Sequence, residues 1–186
     1  MRWRESFWSE VGMGMATEQL ARRVRDVAYL EGDFLLRSGR RSKYYLDKYL
    51  FETTPDILAE MGRRMAEFAG DADVIAGPEL GAVALAAATS MACGKPFAIV
   101  RKSRKDYGTA KRIEGAPVEG KRVLLVEDVG TTAGAALEAA GTLADAGAAL
   151  TRLVFAVDRM EGARENVEKA GFEFQAILNA EDLGIK

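Results

Sequence analysis

The stretch VLLVEDVGTTAGAA, residues 123–136, joins an apolar run to two adjacent carboxylates, two threonines and a short run of alanine and glycine. Four apolar residues in succession are typical of a buried strand, and the alanine-rich run from about Gly134 predicts a helix. A loop that leads into a helix presents unpaired backbone N–H groups at the positive end of the helix dipole, where an anion can bind. The stretch therefore predicts a strand, an anion-binding loop and a helix, in that order.

The side chains around this loop indicate a bound sugar phosphate. Thr131 and Thr132 add hydroxyl donors for a phosphate, whereas Glu127 and Asp128 would repel it unless another group lay between them. A ribose diol has the right size and needs such acceptors, so the loop fits a ribose 5-phosphate. The simpler alternative is that the two carboxylates only complement the positive end of the helix. No lysine follows the glycine as in an ATP-binding loop, and the chain has no G-x-G-x-x-G.

The second half of the chain alternates short apolar strands with alanine-rich helices. Strands are predicted at 73–77, 97–100, 122–126, 152–157 and 172–178, and helices at 82–93, about 134–146 and about 163–170. This order predicts a parallel sheet covered by helices on both faces. Ligands of such sheets lie at the carboxyl ends of the strands, so the segments after Gly77, Val100, Val126 and Val157 form the candidate site.

The first third of the chain has a different pattern. A helix is predicted at 17–30 behind a threonine cap, then two short strands joined by a turn at Ser38 and Gly39, then a helix at 55–68. Met13 and Met15 stand just before the first helix. We therefore expect residues 1–16 to be a loose extension and residues 17–186 to form one domain.

Composition and charge narrow the class of protein. Of the 186 residues, 48% are hydrophobic and 29% charged, as in an ordinary globular domain. The net charge of −2 argues against a nucleic-acid partner bound through the overall field. Histidine is absent, which excludes Ser-His and Cys-His dyads and most zinc sites. Any chemistry here must use carboxylates, lysines, arginines, hydroxyls and backbone groups.

The cysteine content and the N-terminus bear on location. Cys93 is the single cysteine, so no intramolecular disulfide can form, and its apolar surroundings predict a small buried side chain. No apolar stretch is long enough to cross a bilayer, and Glu5 and Glu10 interrupt any secretory signal. We expect a cytoplasmic protein without a membrane partner.

The stretch around the two carboxylates resembles the phosphoribosyl diphosphate (PRPP) signature of the type I phosphoribosyltransferases. The resemblance implies an α/β fold with a central, mostly parallel sheet flanked by helices, a small N-terminal hood and a flexible catalytic loop. It also implies PRPP contacts from Glu127, Asp128, Val129, Gly130, Thr131, Thr132, Ala133, Gly134 and Ala135. The alanines at 133 and 135 depart from the family, which usually has glycine, serine or threonine there, so the exact backbone donors stay open.

A second loop, GPELGA at 77–82, also follows a strand and opens a helix. Its glycines would let backbone amides approach an anion closely, although an ordinary turn fits the residues equally well. In the family this position resembles the diphosphate loop, which implies PRPP contacts from Glu79 and Leu80.

A third segment, RKSRKDYGTAKR at 101–112, is strongly basic, with six lysines and arginines in twelve residues. A solvated charge run or a nucleic-acid contact would explain the charge, but a mobile lid over a diphosphate also explains the length and the glycines at 108 and 115. The segment resembles the catalytic loop of the orotate phosphoribosyltransferases. The resemblance implies diphosphate contacts from Arg101, Lys102 and Lys105, with Tyr107 where histidine is common. It further implies a homodimer in which the loop at 101–115 reaches the neighbouring subunit's site.

Two further segments resemble the same family and bear on the base. They are GDFLLRSGRRSKYYLDKY at 32–49 and DRMEGA at 158–163. Orotate carries a carboxylate and a planar ring, which arginines and aromatic side chains suit. The resemblance implies orotate contacts from Arg37, Tyr44, Tyr45, Thr131 and Arg159. Without it, ordinary strand packing would be the better explanation of the two tyrosines.

The resulting hypothesis is an enzyme of pyrimidine biosynthesis that transfers the phosphoribosyl group from PRPP to orotate. Its catalytic residues would be Lys105, Arg101, Lys102 and Asp128, and Mg²⁺ would bind through substrate oxygens without direct protein ligands. One alternative is transfer to another nucleobase, which the arginines at 37 and 159 disfavour. The other is a PRPP-sensing regulator, for which we would expect an added DNA-binding domain.

Overall fold

The computed structural model describes residues 14–35, 39, 41–103 and 111–185, where strands and helices alternate along most of the chain. In order, the elements are α1 (Thr17–Ala28), β1 (Tyr29–Leu35), β2 (Arg41–Leu46), α2 (Lys48–Glu52), α3 (Pro55–Ala66), β3 (Val74–Pro78), α4 (Ala82–Cys93), β4 (Phe97–Val100), β5 (Ile113–Gly115), β6 (Arg122–Gly130), α5 (Gly134–Asp145), β7 (Ala149–Asp158), α6 (Ala163–Lys169) and β8 (Glu173–Asn179). The predicted α/β architecture is confirmed.

A six-stranded sheet in the order β5-β4-β3-β6-β7-β8 forms the centre of the molecule. The strands β4, β3, β6, β7 and β8 are parallel, and the short β5 runs antiparallel to β4 at one edge. The predicted parallel sheet is therefore confirmed, with one added edge strand. Within the described residues, no helix has the length and apolarity needed to span a membrane.

Alternate residues of the central strands face two separate cores. Ile75 and Val126 belong to one core with α1, α3 and α4, whereas Val74 and Leu125 belong to the other with α5 and α6. This alternation is the ordinary geometry of a strand, and burial on both faces explains why the strands read as continuous apolar runs. Cys93, predicted to be buried, is a free and half-buried thiol at the end of α4.

The strands β1 and β2 form a separate antiparallel pair, the predicted N-terminal hood. The helix α1 ends at Ala28, two residues before the predicted end, because Tyr29 and Leu30 pair with β2. The predicted threonine cap is wrong. Ala16 occupies the N-cap position without a side-chain hydrogen bond, and the Thr17 hydroxyl accepts from Arg64 Nη1 at 3.0 Å.

Three further differences from the sequence predictions concern elements near the candidate site. Strand β6 continues past the predicted end at Val126 as far as Gly130, so it contains both carboxylates. The helix α2 was not predicted, since five residues are too few to display a helical period. Strand β5 occupies part of the segment expected to be a lid, and it pairs with β4 through Ile113 and Val100.

The parallel strands β3, β4, β6 and β7 bring four segments to the same edge of the sheet. They end at Pro78, Val100, Gly130 and Asp158, each followed by one of the four segments singled out in the sequence. Carboxyl ends of parallel strands are where ligands of such sheets bind. The candidate site therefore lies at this edge, between the sheet and the hood.

Candidate active site

Glu127 and Asp128 are buried residues of strand β6 rather than members of the following loop. The Asp128 backbone N–H donates to Glu127 Oε1 at 3.0 Å, and the Val129 N–H donates to Asp128 Oδ1 at 2.5 Å. Glu127 Oε2 has no hydrogen-bond partner among the described residues. The prediction that these carboxylates lie in the loop is wrong, because strand β6 includes both residues and ends only at Gly130.

A third carboxyl group, that of Glu52 at the end of α2, belongs to the same buried cluster. Burial and, to a smaller extent, the negative charge of Asp128 raise the pKa of Glu52 to about 8, although Lys48 acts in the opposite direction. Burial likewise raises the pKa of Glu127, with the charge of Asp128 as the next cause. Near neutral pH both glutamates therefore favour the protonated form.

Lys48 is the cation that faces this cluster. Its Nζ lies 2.6 Å from Asp128 Oδ2, although the two residues are 80 positions apart in the chain. Burial alone would lower the pKa of Lys48, but the hydrogen bond and the charge of Asp128, with smaller effects of Tyr49 and Glu127, raise it above its ordinary value. The pair is thus an ammonium joined to a carboxylate.

The loop after β6 leads into helix α5 as predicted. Thr131 and Thr132 are exposed, and the Thr132 carbonyl accepts from Asn166 Nδ2 at 3.0 Å. Ala133 precedes the helix with φ of 59° and ψ of 17°, a left-handed conformation that glycine adopts without strain. The alanine that departs from the family pattern therefore stands where the backbone itself favours glycine.

The second and third loops are joined by Glu79. Its Oε1 accepts from the Lys102 backbone N–H at 2.9 Å, and its Oε2 lies 3.9 Å from Arg101 Nη1. The Glu79–Leu80 peptide bond is cis, and the Leu80 side chain is exposed. The glutamate expected to contact PRPP thus fixes the start of the basic segment.

The two ends of the basic segment are hydrogen-bonded to each other, and Arg112 is also bonded to helix α5. The Arg101 N–H donates to the Arg112 carbonyl at 2.8 Å, and Arg112 Nη2 donates to Glu138 Oε1 at 3.0 Å. The predicted contact residues Lys105 and Tyr107 lie outside the described residues. Their assignment stays a prediction.

Arg159, directly after β7, contacts Tyr44 of the hood. Its Nη2 donates to the Tyr44 hydroxyl and lies 2.7 Å from Glu161 Oε1, while its Nε is buried without a partner among the described residues. The Arg159 backbone N–H also donates to the Gly130 carbonyl at 2.8 Å, which holds the arginine at the end of β6, beside the loop that opens α5. An arginine with one free donor in such a place can bind an anionic ligand.

The other residues predicted to contact the base are distributed differently. Tyr45 is exposed and its ring packs against Phe34 with centroids 5.6 Å apart, whereas Tyr44 stacks on Tyr29 at 5.5 Å. Neighbouring strand residues point to opposite faces, which explains the divergence. The structure therefore brings Tyr44 to Arg159, and it turns Tyr45 toward Phe34. Arg37 lies outside the described residues.

Sequence reasoning missed Lys48, Glu52 and Glu161. Lys48 and Glu52 lie in the helix that was not predicted, and nothing local links them to strand β6. Glu161 stands two residues after Arg159 within the quoted DRMEGA segment, so that segment contained the signal.

The strand order, the helix-opening loop and the paired carboxylates define a phosphoribosyltransferase domain. The family model described as a phosphoribosyl transferase domain matches residues 51–185. This match covers the main sheet and all four loops at its carboxyl edge.

Relatives and solved structures name the family more narrowly. The chain is 42% identical over 170 residues to the orotate phosphoribosyltransferase of Natronomonas pharaonis, covering 91% of this chain and 98% of that one. It is 47% identical over 154 residues to that of Methanocella arvoryzae, covering 82% and 87%. The crystal structure of the Mycobacterium tuberculosis orotate phosphoribosyltransferase in complex with PRPP matches with a TM-score of 0.79 at 34% identity, covering 91% and 99%. The chain belongs to the orotate phosphoribosyltransferase family.

Proposed function

We propose that the protein transfers the phosphoribosyl group from PRPP to orotate, which gives orotidine 5′-monophosphate and diphosphate. The observation that carries this proposal is the place of Arg159, hydrogen-bonded to Gly130 at the end of β6, next to the loop that opens α5, and to Tyr44 of the hood. At this edge of the sheet, the N-terminus of α5 can bind a phosphate. Beside it, Arg159 and the ring of Tyr44 can bind a planar molecule that carries a carboxylate. The curated relatives carry the name of this activity.

The 5-phosphate of PRPP would bind at the start of α5. The first N–H groups of a helix have no acceptor within the helix, the two threonine hydroxyls can donate, and the helix dipole favours the negative charge. The residues proposed for this contact are Val129, Gly130, Thr131, Thr132, Ala133, Gly134 and Ala135.

The diphosphate would lie between the second and third loops. Leu80 and Glu79 would contribute backbone groups, and Arg101, Lys102 and Lys105 would contribute positive charge, with Tyr107 as a further contact. The contact between Glu79 and Lys102 supports this proposal, because it brings both loops to one place.

Orotate would bind between the hood and the segment after β7. The proposed contacts are Arg37, Tyr44, Tyr45, Thr131 and Arg159. The unpartnered Nε of Arg159 supports a carboxylate acceptor at this position.

Catalysis would rest on position and charge. As the bond from the ribose carbon to diphosphate breaks, positive charge develops on the ribosyl group and negative charge on the diphosphate. The Asp128 carboxylate, which is paired with Lys48, would accept a hydrogen bond from a ribose hydroxyl and oppose the developing positive charge. Arg101, Lys102 and Lys105 would stabilise the departing diphosphate. Orotate, held on the other side, would form the new bond.

Mg²⁺ would enter with PRPP. Within the described part of the chain, no three His, Cys, Asp or Glu side chains are grouped to hold a metal ion. A cation carried by diphosphate and ribose oxygens needs no such group, and Asp128 already has one oxygen occupied by Lys48. When bound, the ion would neutralise part of the diphosphate charge.

Assembly and location belong to the same proposal. We infer a homodimer in which the basic segment of one subunit reaches the site of the other, as the family resemblance implies. The cytoplasmic location inferred from the sequence stays a prediction, and its test is fractionation of cells that express the protein.

The test is an assay of the purified protein with PRPP, Mg²⁺ and orotate, followed by the loss of orotate absorbance. Adenine, hypoxanthine and uracil are the rival acceptors. Turnover of orotate that collapses in Lys105→Ala and persists in the matched control Lys111→Ala is the expected result. Turnover of another base, or PRPP binding without turnover of any base, would contradict the proposal.

A further inference from the structure

Lys48 belongs to α2, outside the main sheet, and its side chain extends to Asp128 in the candidate active site. It is the first residue of α2, whose N-cap Asp47 accepts from the Tyr49 N–H at 3.1 Å, so the helix start is fixed. From there the side chain reaches strand β6 of the main sheet, where Nζ lies 2.6 Å from Asp128 Oδ2. Its side chain is 32% exposed and that of Asp128 only 6%, so the pair lies at the boundary between the buried cluster and the open edge.

The pair also rests on the diphosphate loop. A Cβ added to Gly81 would fall 1.8 Å from Asp128 Oδ2 and 2.8 Å from Lys48 Nζ, distances that no real side chain tolerates. Gly81 therefore provides the space in which the ammonium and the carboxylate meet. The pair is held between the strand that offers the ribose acceptor and the loop that offers the diphosphate contact.

The diphosphate loop itself has no cationic side chain. Glu79 is engaged with Lys102, Leu80 is apolar and exposed, and Gly81 has no side chain. A loop that holds a diphosphate without its own cation leaves negative charge to be balanced from elsewhere. Lys48 places an ammonium directly against the backbone of this loop.

The alternative role for Lys48 is simple neutralisation of a buried charge. Three carboxyl groups, those of Glu52, Glu127 and Asp128, share the cluster, and a lysine would lower the cost of burying the carboxylate with which it is paired. That role predicts a loss of stability when Lys48 is replaced, and no specific loss of PRPP binding. The Lys48 side chain is 32% exposed and its Nζ lies beside Gly81. Both observations favour a role of Lys48 in ligand binding.

We propose that Lys48 is a positioning residue for PRPP, which holds the Asp128 carboxylate against Gly81 for the ribose hydroxyl and supplies positive charge beside the diphosphate loop. This inference rests on the proposed function, since it deepens the assignment of the PRPP site. It adds a residue from the N-terminal hood region to a site otherwise built from strands of the main sheet.

The test compares three substitutions of Lys48 by calorimetric titration with PRPP and Mg²⁺ and by steady-state kinetics. Lys48→Arg keeps the charge, Lys48→Gln keeps a donor without charge, and Lys48→Met removes both. We expect PRPP affinity near that of the wild type in Lys48→Arg and a loss of about tenfold or more in Lys48→Met, with Lys48→Gln between them. The KM for orotate should stay within about twofold. The exposed Lys169→Met is the matched control and should bind PRPP like the wild type.

The outcomes separate the two roles. If Lys48→Met fails to fold, Lys48→Gln decides the question in the same way. Variants that melt earlier but bind PRPP as the wild type does would overturn the inference, as would equal losses for PRPP and orotate. A wild-type protein that binds PRPP without turning over orotate would overturn only the proposed reaction, because the PRPP titration still tests Lys48. A wild-type protein that does not bind PRPP would overturn both.

Discussion

Arg159 donates a hydrogen bond from Nη2 to the Tyr44 hydroxyl at 2.7 Å, and its guanidinium carbon lies 5.1 Å from the centroid of the same ring. The same nitrogen contacts Glu161 Oε1, so the guanidinium is held on two sides. A side chain already held in place loses little conformational entropy when a ligand arrives. The hydroxyl of Tyr44 should therefore contribute to the affinity for the base.

Tyr44→Phe tests this relationship. The ring and its stacking on Tyr29 stay, while Arg159 loses one acceptor. We expect the KM for orotate to rise about fivefold, which corresponds to the ~1 kcal/mol of a typical hydrogen bond, with little change in the KM for PRPP. Tyr29→Phe, one layer behind in the same stack, is the control and should leave both constants unchanged. Equal behaviour of the two variants would contradict the assignment.

The buried cluster should make stability depend on pH. The pKa of Glu52 is raised from 4.5 to about 8, so the folded protein keeps a proton that the unfolded chain releases. The free energy of unfolding should therefore fall as pH rises from about 5 to about 8, by at most about 1.4 kcal/mol per pH unit for this group. Below and above this window its contribution should be flat.

Glu52→Gln should reduce that slope. The amide cannot ionise, so the variant should gain stability relative to the wild type as pH rises toward 8, while Glu127 still contributes part of the dependence. Thermal melting from pH 5 to 9 measures the effect, and Glu181→Gln, an exposed glutamate, is the control. If the melting temperatures of the wild type and of Glu52→Gln changed equally with pH, the raised pKa of Glu52 would be wrong.

Ala133 offers a test of the backbone conformation of the loop that opens α5. Its left-handed conformation is costly for alanine and free for glycine, so Ala133→Gly should raise the free energy of unfolding by about 0.5–1 kcal/mol. Ala135→Gly, in the first turn of α5, should lower it because glycine is a poor helix former. Chemical denaturation distinguishes the two. Effects of the same sign in both variants would contradict the conformational argument.

Gly81→Ala should be far more damaging than a glycine-to-alanine change usually is. The new Cβ would overlap Asp128 Oδ2, so the carboxylate and Lys48 must separate or the loop must move. We expect PRPP binding to fall by at least about tenfold. Gly141→Ala, in the middle of α5 with open space around it, should instead stabilise the protein by about 0.5–1 kcal/mol. Calorimetric titration with PRPP compares the two variants.

The sequence predicted the strands and long helices well because their patterns extend over many residues. Helix α4 and strand β4 have the predicted bounds, since one is a continuous alanine-rich run and the other an apolar run between Pro96 and Arg101. Helix α2 and strand β5 are too short to display a period, and both come into being only through tertiary contacts.

The site was predictable where its residues follow the ends of strands. Ligands of parallel sheets bind at the carboxyl ends of the strands, and this rule led directly to Glu79, Arg101, Thr131 and Arg159. It could not lead to Lys48, because the contact with Asp128 joins residues that the chain separates by 80 positions. It also could not show that Tyr44 is the tyrosine hydrogen-bonded to Arg159, since neighbouring residues of β2 point to opposite faces and only the folded structure shows which face meets the arginine.

The hydrogen bond between Arg101 and the Arg112 carbonyl sets a limit on distance. With Arg101 fixed at the sheet, the Cα atom of Lys105 can lie no more than about 14 Å away, even if the intervening chain is fully extended. A lysine side chain adds roughly another 6 Å. If the basic segment acts in the site of a neighbouring subunit, the diphosphate in that site must lie within the sum of these two distances from Arg101. Any arrangement of two copies that places the diphosphate farther from Arg101 cannot be the active assembly.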